Sequence, residues 1–222
     1  VLPIACATLA LPAWAQSTDE ELAKKLANPV AALISVPFQF NYDQDIGPAR
    51  TGDRLLLNIQ PVVPIEIDKT WNLISRTILP VVWQEEIYPA AGRQHGIGDI
   101  VQSLFVSPKE PTAAGWIWGA GPVFLFPTRS DGLLSGRKWG AGPTGVALHQ
   151  EGPWTYGMLA NHIWSFAGND SRPDISATFL QPFLTYTTST AWSFAVNTES
   201  TYDWTARQWL VPINAIVSKV TK

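Results

Sequence analysis

From Ile34 onward, hydrophobic and polar residues alternate. Ile34, Val36, Phe38, Phe40 and Tyr42 fall on one face, with Ser35, Pro37, Gln39 and Asn41 on the other. This is the period-two pattern of a strand with one apolar and one polar side. It returns at 54–68, 71–84, 97–107, 114–126, 138–149, 154–166, 174–187, 191–202 and 207–218. Most of these ten predicted strands run to 11–15 residues, whereas strands of soluble sheets average about 5 or 6. Their connectors alternate in length: long at 43–53, short at Lys69, long at 85–96, short at 108–113, long at 127–137, short at 150–153 and longer at 167–173. Short turns at one end and long loops at the other predict an all-β, up-and-down antiparallel barrel that crosses a membrane.

The tryptophans add a length. Trp71 and Trp83 share a face twelve steps apart, roughly 40 Å along a strand at ~3.3 Å per residue. Tilted by about 40°, that projects to about 30 Å, just beyond an apolar band of about 25 Å. Trp154 and Trp164 repeat the arrangement, with Tyr156, Met158 and Ala160 between them. Trp118 and Trp139 open two copies of W-G-A-G-P, on strands of opposite direction. All six are predicted to ring the two membrane interfaces, where an amphipathic indole is favoured. In the two copies Gly119, Gly121, Gly140 and Gly142 take the inward phase. There they serve either to bend the strands or to make room for an inserted helix or a solute.

The opposite faces predict a polar interior lined by Arg54, Asn58, Gln60, Glu66, Arg76, Lys138, Asn161, Asn197 and Glu199. Arg76 and Glu66 lie on strands paired around Lys69, close enough in register for a charge pair that sets ion preference.

Composition agrees: 46% hydrophobic and 15% charged, against about a quarter charged in soluble chains. A net charge of -3 and the lack of a Lys/Arg run argue against a nucleic-acid partner. Residues 1–15 are uncharged and apolar and end in Ala13-Trp14-Ala15 before Gln16, the signature of a secretory signal cleaved after Ala15 and truncated at its start. The only cysteine, Cys6, lies within it, so no disulfide or thiol site is expected in the mature chain. Residues 16–30 are expected to hold a helix, with Thr18 capping and Glu21 three positions later. That segment would plug the lumen, lie beneath it or associate subunits. Residues 31–222 form the barrel.

Three stretches carry a family resemblance: LANPVAALISVPFQFNYDQDIGP (26–48), GIGDIVQSLFVSP (96–108) and TFLQPFLTY (178–186). The chain resembles bacterial outer-membrane transporter-like proteins of the MetA-pathway of phenol degradation group, some of which carry the label neuromedin U. The resemblance implies a Gram-negative outer-membrane barrel, related to the channels that export functional-amyloid subunits. It also implies twelve strands in full, so that about two lie beyond Lys222, and passage of small or hydrophobic solutes.

His95, His149 and His162 show no metal-ligand spacing. With a turn over 150–153, His149 is expected opposite Trp154 and His162 opposite Ala141. No catalytic residue, cofactor or metal is expected. The expected function is a porin-like channel or transporter for small solutes, aromatic ones among them, with outer-membrane lipid as its surroundings and its oligomeric state open. The alternatives are a non-conducting anchor or adhesion barrel using the loops 85–96 and 127–137, and an outer-membrane hydrolase.

Overall fold

The computed structural model describes residues 2–10, 18–88, 90–128, 130, 132–134 and 136–221. The signal-cleavage positions Ala13 to Gln16 lie outside these. No described helix is long and apolar enough to cross a membrane. The chain order is β1 (Leu2–Ala10), α1 (Asp19–Leu26), β2 (Ser35–Ile46), β3 (Gly52–Ile59), β4 (Val62–Glu66), β5 (Trp71–Glu85), β6 (Arg93–Ile97) and β7 (Ile100–Pro108). It continues with β8 (Trp116–Phe126), β9 (Lys138–Glu151), β10 (Trp154–Gly168), β11 (Ser176–Thr187), β12 (Trp192–Thr198), β13 (Ser200–Asp203), β14 (Gln208–Leu210) and β15 (Ile213–Lys219).

All the strands belong to one antiparallel sheet, whose main path is β1-β2-β3-β5-β7-β8-β9-β10-β11-β12-β15. Both β3 and β4 pair with β5, both β6 and β7 with β5, and both β12 and β13 with β11. Each such pair is one long run with a local break. At Gln60–Pro61 a proline lacks the ladder N–H. At Gly98–Asp99 an extra residue makes a bulge. β14 and β15 face β13 and β12 in one continuous register, broken at Val211–Pro212. Rejoined, the segments make ten runs between Ser35 and Lys219, matching the ten alternating stretches of the sequence. β1, inside the expected signal segment, hydrogen-bonds along β2. At the two ends of the path, β1 and β15 approach to within 8 Å at their Cα atoms, so the sheet curls until its ends are neighbours.

The turns show why strands start where they do. Asp68 Oδ1 accepts the Thr70 and Trp71 amides at 2.6 and 2.8 Å. Thr112 Oγ1 accepts the Trp116 amide at 3.0 Å, and Thr188 Oγ1 that of Trp192 at 3.1 Å. These side-chain turns replace ladder bonds that the chain cannot make while it reverses. Four short connections, including the one at Gly152–Pro153, thus deliver a tryptophan as the first residue of β5, β8, β10 and β12.

Burial along the strands is inverted relative to a soluble sandwich. Asn72, Gln84, Ser103, Ser107, Lys138, Thr144, Thr155 and Thr185 are buried, while Met158, Leu184, Phe194, Val196 and Val217 are exposed. The interior is not polar throughout, as the strand faces had suggested. Val62, Ile74, Phe105, Val146, Leu148 and Leu159 form a buried apolar cluster, joined by Val30 from outside the strands.

Candidate functional site

The enclosed face of the sheet is the candidate site, and it is layered from the short-turn end to the long-loop end. At the short-turn end sits α1. Its capping box is complete: the Glu21 amide donates to Thr18 Oγ1 and the Thr18 amide to Glu21 Oε2, both at 3.2 Å. Two orphan amides are thereby satisfied at the start of a helix too short to persist alone. Gln150, near the end of β9, donates from Nε2 to the Lys24 carbonyl at 3.0 Å and to Thr155 Oγ1 at 3.1 Å. Ala23 is buried beneath the helix. Asn28 Oδ1 accepts the Val30 amide at 2.9 Å and turns the chain so that Val30 enters the apolar cluster, where it is 5% exposed. A Cβ on Gly119 would meet Val30 Cγ1 at 3.2 Å. The first W-G-A-G-P copy therefore makes room for the segment that follows the helix.

Beyond the cluster lie hydrogen-bonded polar side chains drawn from both halves of the sheet path. Arg76 Nη2 donates to Gln60 Oε1 at 2.9 Å, and Gln60 Nε2 to Gln39 Oε1 at 2.7 Å. Glu199 lies beside Gln39 and accepts from Gln181 Nε2 at 3.3 Å. Gln39 is on β2 and Glu199 between β12 and β13, so residues near opposite ends of the sheet path come together here. Asn214 Nδ2 donates to Asn197 Oδ1 at 2.9 Å. Asn58 and Asn161 are half-buried on the same inner face.

The expected Arg76–Glu66 pair is not formed. Register puts Val62 opposite Arg76 and Asn72 opposite Glu66, and Glu66 instead meets Lys109 Nζ at 2.8 Å at the short-turn rim, with its own side chain 69% exposed. Arg76 lies deeper, where the charge it faces is Glu199. Gln39 and Gln181 complete a network in which the sequence pattern had singled out only Gln60, Arg76 and Glu199. Gln181 was hidden because its strand reads as mostly apolar.

The long-loop end is tied by ion pairs. Arg54 donates twice to Asp43 Oδ2, from Nε at 2.9 Å and from Nη2 at 2.6 Å. Lys138 Nζ, on a side chain only 7% exposed, bonds Asp174 Oδ1 at 2.9 Å. The hydrogen bond from Lys138, followed by one from Ser165 Oγ, holds the Asp174 carboxyl below its ordinary value. A carboxyl whose folded pKa is depressed stabilises above its unfolded pKa of about 4, and the contribution is lost as pH falls through the folded value. Asp174→Asn is therefore expected to lower hydrogen-exchange protection around 169–176 at pH 7, and to match wild type at pH 2. Equal protection at pH 7 would show that the pair does not hold the loop.

The outer face carries the aromatic residues in two belts. Trp71 and Trp118 meet edge-on at 5.9 Å between ring centroids, and Trp154 meets Tyr186 at 4.8 Å, both near short turns. Trp139 packs on Phe126 at 5.6 Å near the long loops, with Trp83 and Trp164 at that same end of their strands. Trp116 and Trp192 join the first belt, and Trp204 and Trp209 the second. The turn residues Thr112 and Thr188 before Trp116 and Trp192 were their sequence signal.

The expected β9–β10 register is off by two. Glu151 pairs with Trp154 across a two-residue Gly152–Pro153 turn, so His149 faces Tyr156 and Ala141 faces Trp164. His162 lies on the outer face with Thr178 Oγ1 2.7 Å from Nδ1 and Ser176 Oγ 3.5 Å from Nε2. Thr178 also accepts from Trp204 Nε1 at 2.8 Å. The adjacent Trp204 and Ile175 amides already donate to the Ser176 carbonyl and to Ser165 Oγ, leaving neither to stabilise an oxyanion. The His162 ring lies 4.0 Å from the Trp164 ring between centroids, tilted by 45°. Among the described residues no group of three or more His, Cys, Asp or Glu is placed to hold a metal ion. Comparison with family models, curated proteins and solved structures finds no match to this chain.

Proposed function

We propose that the chain is a β-barrel of the Gram-negative outer membrane that passes small solutes, with α1 and Val30 occupying the short-turn end of its lumen. One observation carries this reading. On the same strands the exposed face is apolar and bounded by two aromatic belts, while the enclosed face carries the polar and charged side chains around one buried apolar cluster. Apolar surface on this scale is costly in water and favourable in lipid. The signal-like residues 1–15 and the resemblance to outer-membrane transporter-like proteins point the same way.

The occupied short-turn end also favours a second reading, a non-conducting anchor barrel. Conductance separates the two. The refolded chain is expected to show heat-modifiable gel mobility and discrete conductance steps in planar bilayers. Arg76→Glu is expected to shift ion selectivity toward cations, because the substitution reverses the central positive charge of the interior. A barrel that inserts but conducts nothing, even without its helix, would sink the transport reading and leave the anchor.

A further inference from the structure

Pro122 and Pro143 face each other in the β8–β9 ladder, which runs unbroken from Trp116–His149 to Leu125–Gly140. Their missing N–H groups therefore fall on the outer flanks of this hairpin. The β7–β8 ladder skips from Ser103–Val123 to Val106–Ala120, and the β9–β10 ladder from Asn161–Thr144 to Trp164–Ala141. Register is the same on both sides of each gap, so no residue is inserted. Each gap is one absent donor: Pro122 leaves the Leu104 carbonyl without its ladder partner, and Pro143 does the same to His162.

A bare carbonyl turned toward lipid costs several kcal/mol. Both carbonyls avoid this by leaning inward. A Cβ built on Gly121 would fall on the Leu104 oxygen, and one on Gly142 on the His162 oxygen. Glycine before each proline is thus what lets the oxygen turn into the interior. Gly121 and Gly142 are only half-buried, whereas their inward neighbours Val123 and Thr144 are buried. At Gln60–Pro61 and Gln181–Pro182 the residue before the proline is instead a glutamine held in the central network.

We propose that each W-G-A-G-P copy builds a niche on the inner wall that binds a small apolar solute through one hydrogen-bond donor, an alcohol O–H or amine N–H, to the Leu104 or the His162 carbonyl. Its floor is the Cβ-free face of Gly121 or Gly142, and among the described residues no ladder amide reaches its acceptor, so it selects apolar molecules that carry a single donor over those that carry none. The inference rests on the enclosed face being a solute-accessible lumen.

The test compares 1-naphthol with naphthalene, two molecules that differ by one hydroxyl, binding to the full chain refolded in detergent, with empty micelles subtracted. Wild type is expected to bind 1-naphthol saturably and about fivefold more tightly than naphthalene, the size of one net hydrogen bond. Pro122→Ala with Pro143→Ala supplies both ladder amides. It is expected to remove that preference while keeping heat-modifiable mobility and conductance. Equal binding of the two probes to a conducting wild type, or an unchanged preference in a conducting double variant, would overturn the niches and leave the channel intact. Failure of wild type to insert or conduct in bilayers would overturn both.

Discussion

Deleting residues 18–30 is expected to raise single-channel conductance severalfold without preventing insertion. α1 is not long and apolar enough to cross a membrane, and no strand ladder includes residues 18–30, so the sheet loses no ladder by their removal. What the segment contributes is occupancy. α1 is held by the Gln150–Lys24 bond and by burial of Ala23, and Val30 fills the apolar cluster beside Gly119. Burying a valine is worth about 1.5 to 3 kcal/mol, comparable to the total hold of so short a helix. Val30→Asp should therefore reproduce the deletion, because a carboxylate among Ile74, Phe105, Leu148 and Leu159 is expelled rather than buried. Exposed Lys25 gives the control: Lys25→Ala should conduct as wild type does. Equal conductance of deletion and wild type would show that the helix does not obstruct the path.

Met158→Arg is expected to destabilise the chain in lipid vesicles by about 2 to 4 kcal/mol, the cost of an arginine on a barrel's lipid face near mid-membrane. Met158 is 49% exposed and lies on β10 between Trp154 and Trp164, whose rings mark the two belts. The same change on a water-facing surface would fall within about 0.5 kcal/mol. The measurement is a reversible urea titration in vesicles. A value near zero would mean that this face meets water, and would remove the membrane from the reading of the whole outer surface.

Much of the architecture was legible because a strand's side chains alternate with a period the sequence records directly. The helix was legible for a local reason too, since Thr18 and Glu21 satisfy each other's amides within one turn. The failures involve pairing and packing. The turn after β9 takes two residues rather than four, and nothing in Gln150 to Pro153 distinguishes these locally, so His149 moved from Trp154 to Tyr156. Arg76 and Glu66 are on neighbouring strands, but a few residues of slip separate them by depth, and Lys109 from the next hairpin claims Glu66. Ile74, Phe105, Leu148 and Leu159 stand on the inward phase among polar neighbours. Only the position of Val30 explains why that phase is apolar there.

The sequence by itself determined what is written every second residue or within one turn: ten long alternating runs and the capped helix. These follow from bond geometry and from the unfavourable contact of apolar side chains with water, neither of which needs a distant partner. The tertiary structure decided what requires two remote segments to meet. It chose Glu199 as the charge that Arg76 faces, placed Val30 against Gly119, and aligned Pro122 with Pro143 so that both missing amides fall on the flanks of one hairpin. Strand register couples residues tens of positions apart, and a shift of two changes every partner while leaving the alternating pattern untouched.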